Sequence, residues 1–155
     1  MIDISRCYHQ GIRVPDLDAA MDELGEALRV RWCAPQVHPQ TVWTPGVGES
    51  VIPLRFTYST EGPLHLELLE GAPGSIWDGR DSPGLHHVGV WSDDVAADTD
   101  SLLEAGWTLL MAQQPPEKGY GVFTYLQPPS GLIVELVWSR VQPMFERWFA
   151  GGSLF

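Results

Sequence analysis

Short apolar runs of strand character alternate along the chain with two stretches of helical periodicity, and their order repeats. Residues 8–14 and 86–92 are rich in β-branched and aromatic side chains and run into Pro15-Asp16 and Asp93-Asp94, so each reads as a strand ending in a turn. After the first, Leu17, Ala20, Met21, Leu24 and Leu28 form an apolar stripe at helical spacing, with Asp16 as candidate N-cap. After the second, Val95, Leu102 and Leu103 carry a weaker stripe, with Asp94 as cap and Gly106 as stop. Three strand candidates follow each helix: residues 30–38, 51–60 and 64–69 in the first half, and 107–112, 120–126 and 132–137 in the second. The predicted unit is βαβββ, twice.

Self-similarity supports the same division. HQGIRVPDLDAAMDEL, residues 9–24, aligns without gaps on HVGVWSDDVAADTDSL, residues 87–102, at an offset of 78. PLHLELLE, residues 63–70, aligns on GLIVELVW, residues 131–138, at an offset of 68 that superposes Glu67 on Glu135. Phe56-Thr57-Tyr58 recurs as Phe123-Thr124-Tyr125 at an offset of 67, one residue short of that register. Duplication of one supersecondary unit is the simplest account. The expected organisation is a single domain over 1–155, with one module over about 4–70, a Gly- and Pro-rich linker over 71–83 and a second module over about 84–140. A terminal helix over about 141–150 carries Pro143 in its first turn. Residues 36–50 read as a long Pro- and Gly-containing loop around Trp43, of the length of a lid or a mobile excursion.

Composition narrows the partners. The 155 residues suffice for one domain with its own core, and 44% hydrophobic with 19% charged residues is a folded composition. Nine Lys plus Arg against twenty Asp plus Glu give a net charge of −11, which argues against nucleic acid and anionic membranes as partners. No run of eighteen apolar residues occurs and no basic stretch precedes an apolar one at the start, so a cytoplasmic location is expected. Cys7 and Cys33 match neither a disulfide framework nor a metal knuckle.

Because strand side chains alternate faces, His9, Gly11 and Arg13 share a face, as do His87, Gly89 and Trp91. Glu67 shares one with His65, and Glu135 with Ile133 and Val137. If the two sheets curve around one cavity, two imidazoles and two carboxylates converge at repeat-related positions. Such a set suits one divalent transition metal, Zn, Ni, Co, Mn or Fe, with positions left for substrate, whereas imidazoles disfavour calcium. His86 reads as facing away and structural, and His65 as a pocket residue or a support for a ligand. Arg13 is a candidate for a substrate carboxylate or phosphate, with an ordinary ion pair as the alternative. Tyr58, Trp91, Phe123 and Tyr125 are candidates for an aromatic substrate wall, with core packing as the alternative.

The motifs YHQGIRVPDLDAAM, HLELLE, GLHHVGVWSDDV and GLIVEL resemble those of the vicinal oxygen chelate superfamily, which includes glyoxalase I, methylmalonyl-CoA epimerase, extradiol dioxygenases and bleomycin-resistance proteins. The resemblance covers nearly the whole chain and implies an α+β fold of two βαβββ modules forming a curved mixed sheet around one cavity. Carried over by position, the metal ligands would be His9, Glu67, His87 and Glu135. In the glyoxalase and epimerase branches, which the four-ligand set favours, such a metal stabilises an enediolate while a carboxylate, here Glu135 or Glu67, moves a proton next to a carbonyl. Two alternatives are a ferrous-iron dioxygenase on His9, His87 and Glu135 and a metal-free binding protein for a cationic drug. No Lys or Arg cluster for the phosphates of coenzyme A stands out, and the seven Trp point to a small-molecule substrate with a bulky or aromatic portion. Pairing of chains into a homodimer is what the resemblance implies for assembly.

Overall fold

Eight strands close into one barrel in the computed structural model, which describes residues 2–155. The elements are β1 (Cys7–Arg13), α1 (Leu17–Leu28), β2 (Gln36–Thr44), β3 (Gly48–Tyr58), β4 (His65–Gly71), β5 (Gly84–Ser92), α2 (Val95–Glu104), β6 (Thr108–Ala112), β7 (Phe123–Gln127), β8 (Val134–Trp138) and α3 (Gln142–Phe149). This is βαβββ twice, in the barrel order β1-β4-β3-β2-β6-β7-β8-β5. Each module returns its last strand parallel to its first, β4 beside β1 and β8 beside β5. The modules join through the antiparallel pair β1–β5 on one side and through a single register pair, Trp43 opposite Ala112 of β6, on the other.

Local chemistry sets the helix starts. The Asp16 carboxylate accepts from the Ala19 amide at 2.8 Å and Asp94 accepts from Ala97 at 3.0 Å, each satisfying a donor that the first turn leaves free. Leu17 and Ala20 then pack on Val14 and Leu68 outside the barrel, while Leu28, at the end of the expected stripe, is exposed. The second helix buries Val95 and Thr99, and the Thr99 and Thr124 hydroxyls lie 3.0 Å apart. Among the described residues no helix is long and apolar enough to cross a membrane.

The structure corrects the sequence reading over residues 30–50. The strand expected over 30–38 starts only at Gln36, and residues 36–50, expected as a loop, form most of the β2–β3 hairpin, turning at residues 45–47. The two arms pair without interruption from Gln36–Phe56 to Thr44–Gly48. The linker also does more than connect. It delivers Trp77, 1% exposed, into the barrel interior, where the indole N–H donates to the Tyr125 hydroxyl at 3.1 Å.

Candidate metal and substrate site

Strand register assembles the site as two matching rows. Across β3, β4, β1 and β5 run Tyr58, Glu67, Gly11 and His87; across β7, β8, β5 and β1 run Tyr125, Glu135, Gly89 and His9. Cross-strand neighbours in a row project to the same side, so both rows present a carboxylate and an imidazole to the interior. Glycine stands between them for a steric reason. A Cβ built on Gly11 would lie 2.0 Å from Cε1 of His87, and one on Gly89 would lie 1.8 Å from Cε1 of His9. Each imidazole lies across the glycine of the facing strand.

The result is a compact, fully interior cluster. Nε2 of His9 and Nε2 of His87 are 2.9 Å apart. Oε2 of Glu67 is 3.3 and 3.2 Å from those two nitrogens, and Oε2 of Glu135 is 3.1 and 3.5 Å from them. Donors held at about 2.1 Å from one cation lie about 3.0 Å apart at right angles and about 3.4 Å apart at the tetrahedral angle, so these spacings fit a single ion. Two further observations support the fit. Oε2 of Glu67 is buried without a hydrogen-bond donor, and two imidazole nitrogens face each other at contact distance. All four residues could hold a metal, and all come from one chain. Glu67 approaches the imidazoles as closely as Glu135 does, which favours four ligands over a three-ligand set that leaves Glu67 in support.

The surroundings tune these groups. Burial disfavours the charged form of Glu135, but hydrogen bonds and charge from His87 and His9 more than offset it and hold the carboxyl at about 2. Glu67 is likewise lowered, burial being outweighed by His9 and His87. In the metal-free site His87 is raised to about 9, because the two carboxylates outweigh its burial. Tyr58 and Tyr125 are pushed well above 10 by burial first and the carboxylates next, so both remain phenols beside Glu67 and Glu135.

His86 departs from the sequence reading. It does not face away: its Nδ1 lies 2.9 Å from Nδ1 of His87, and burial together with the charge of His87 lowers it to about 3. A neutral His86 accepting from His87 Nδ1–H leaves the His87 Nε2 lone pair turned to the cluster. His9 has no such support, since its Nδ1 is buried and unpaired. His65 bonds the Ser59 carbonyl oxygen through Nδ1 at 2.7 Å and stacks on Phe149.

Glu67 and Glu135 open on a cavity of about 240 Å³ whose wall includes Tyr58, Phe123 and Tyr125. The other two candidates lie elsewhere. Trp91 stacks on Tyr8 at 3.7 Å, behind the wall, and Arg13 donates to the Ile76 carbonyl at 3.3 Å, outside the lining. Sequence reasoning missed Tyr8, His38, Gln40, Trp77, Phe145, Leu154 and Phe155, all of which line the cavity. Only Tyr8 carried a signal, because it precedes His9 as His86 precedes His87.

A model of the Glyoxalase/Bleomycin resistance protein/Dioxygenase superfamily matches residues 8–125. An ethylmalonyl-CoA/methylmalonyl-CoA epimerase of Cereibacter sphaeroides is 31% identical over 137 residues, covering 86% of this chain and 97% of that protein. Among solved structures, a variant of Streptomyces coelicolor methylmalonyl-CoA epimerase in complex with 2-nitronate-propionyl-CoA superposes with a TM-score of 0.59 at 23% identity, covering 85% of this chain and 92% of that one. Methylmalonyl-CoA epimerase from Mycobacterium tuberculosis gives 0.55 at 18% identity, covering 88% and 91%. These two likenesses are likenesses of fold.

Proposed function

The chain belongs to the glyoxalase/bleomycin resistance protein/dioxygenase superfamily, and from that premise we propose that it is a metal-dependent isomerase of the epimerase type, moving a proton on carbon next to a carbonyl. The observation that carries this reading is the interior His9–Glu67–His87–Glu135 cluster, with spacings that fit one divalent ion and both carboxylates open to the cavity. The relationship to an acyl-CoA epimerase supports the same class of reaction.

A divalent ion on these four residues would supply Lewis acidity for negative charge developing on the substrate's carbonyl oxygen. Zn, Ni, Co, Mn and Fe all accept such ligands. Glu135, ionised across neutral pH, takes the proton from the carbon next to the carbonyl. The C–H electron pair becomes the new C–C π bond, and the carbonyl π pair passes to oxygen. Glu67, at the matching place in the other row, is the second carboxylate, so a proton can leave to one group and return from the other. Return to the opposite face of the same carbon inverts it; return to the neighbouring carbon isomerises the compound. Tyr58, Phe123 and Tyr125 line the cavity onto which both carboxylates open.

Protein purified without a metal-binding tag should carry about one equivalent of transition metal, lost in His87→Ala. In D2O the loaded protein should exchange the proton next to a carbonyl, and Glu135→Gln should slow that exchange by about a hundredfold or more. Full exchange in Glu135→Gln would remove Glu135 as the base. Absence of metal even after reconstitution would sink the reading.

A further inference from the structure

Resting on that reading, we infer that the substrate is an uncharged carbonyl compound with an aromatic or similarly bulky apolar group, and that an acyl-CoA is not the preferred ligand. The charge balance of the site comes first. Two carboxylates and two neutral imidazoles cancel a divalent ion, leaving the loaded centre neutral. A neutral substrate that passes its proton to Glu135 keeps that balance at every stage. A substrate carboxylate would add an uncompensated negative charge beside Glu67 and Glu135 in a low-dielectric cavity.

The wall offers no Lys or Arg to offset it. Among the described residues no Lys or Arg lines the cavity; its polar contributions away from the cluster include His38, Gln40 and Gln113, amid Phe56, Trp77 and Phe145. Elsewhere Arg6 pairs with Asp93, Arg31 with Glu61, Arg55 with Asp18 and Glu70, and Arg80 with Asp78, while Arg13 lies outside the lining, where one guanidinium nitrogen donates to the Ile76 carbonyl oxygen and its Nε is buried without a partner. A neighbouring groove shares Gln113 and Val122 with the cavity and contains Lys118 and Arg140, but also Asp93 and Asp94. There Lys118 pairs with Glu49 at 3.3 Å and Arg140 lies over Trp138. Neither the cavity nor this groove offers a net positive surface for the phosphates of coenzyme A, and the chain as a whole carries −11.

The test compares probes on protein loaded with one equivalent of Co2+, whose visible spectrum reports a ligand entering the centre. 2-Hydroxyacetophenone is neutral, mandelate is an anion of the same size, and methylmalonyl-CoA represents the acyl-CoA class. We expect 2-hydroxyacetophenone to perturb the spectrum with an affinity at least about tenfold above either anion. We also expect its CH2 protons to exchange in D2O faster than C2–H of methylmalonyl-CoA. Glu67→Gln, which leaves the loaded centre with one net positive charge, should narrow or reverse the preference over mandelate. Tighter binding of mandelate or methylmalonyl-CoA to wild type, or no spectral response to 2-hydroxyacetophenone, overturns the substrate class. Tight binding of 2-hydroxyacetophenone without exchange of any probe upholds the substrate class and overturns proton transfer. Faster exchange of methylmalonyl-CoA does the reverse.

Discussion

Gly89→Ala tests the architecture of the centre without touching a ligand. The new methyl would sit 1.8 Å from Cε1, 2.2 Å from Nδ1 and 2.6 Å from Nε2 of His9. Carbon atoms rest at about 3.5 Å, so the ring must retreat by roughly 1.7 Å. His9 is fully buried, with Tyr8 and Tyr58 edge-on at 4.4 and 5.2 Å, so little space receives it. Metal–ligand distances tolerate about 0.2 Å, so the retreat would remove one of the four proposed ligands. Loss of a group that merely supports a ligand costs about 10–100-fold in affinity, and loss of the ligand should cost at least about 100-fold. Overpacking should add about 1–3 kcal/mol of destabilisation. The assay is Co2+ titration against a competing chelator, with urea unfolding of the metal-free protein alongside. His9→Ala removes the ring, so Gly89→Ala should destabilise much less in that background, and the double-mutant cycle isolates the clash. Co2+ affinity within threefold of wild type in Gly89→Ala would refute the reasoning.

Three other outcomes are expected. His86→Phe should weaken Co2+ binding about 10–100-fold while leaving the fold intact, because it removes the partner of His87 Nδ1; unchanged affinity would deny His86 that role. In the metal-free protein His87 is raised from 6.5 to about 9, so its stabilisation is complete below pH 6.5 and fades as pH rises through 9. Glu135, lowered from 4.5 to about 2, contributes above pH 4.5 and loses its contribution as pH falls through 2. The melting temperature of the metal-free protein should therefore fall between pH 6.5 and 9 while metal affinity rises, since binding displaces the His87 proton; a flat calorimetric profile would contradict this. Trp77→Phe leaves the buried Tyr125 hydroxyl without its indole donor and should cost about 1–2 kcal/mol by urea unfolding; no change would show the bond to be dispensable.

What the sequence revealed and what it hid follow from one cause. His9, His87, Glu67 and Glu135 were legible because duplication writes the histidine and the glutamate of the cluster twice, and an offset search finds pairs that no single window contains. The glycines coincided in the same alignment, but their purpose needed the register that sets Gly11 opposite His87 and Gly89 opposite His9. Strand β2 was hidden because its pattern is inverted: Val37 is 74% exposed while His38 and Gln40 face the cavity. Apolar-in, polar-out reasoning fails on a wall that opens onto a binding site. Trp77, Leu154 and Phe155 come from segments outside the repeat and have no partner in an alignment of halves. The duplicated residues therefore build the centre and, through Tyr58 and Tyr125, the wall next to it, and the unduplicated ones complete the space farther out. Trp77, Phe145 and Phe155 line the cavity without belonging to the cluster, so variants there are where selectivity should change while the metal stays bound.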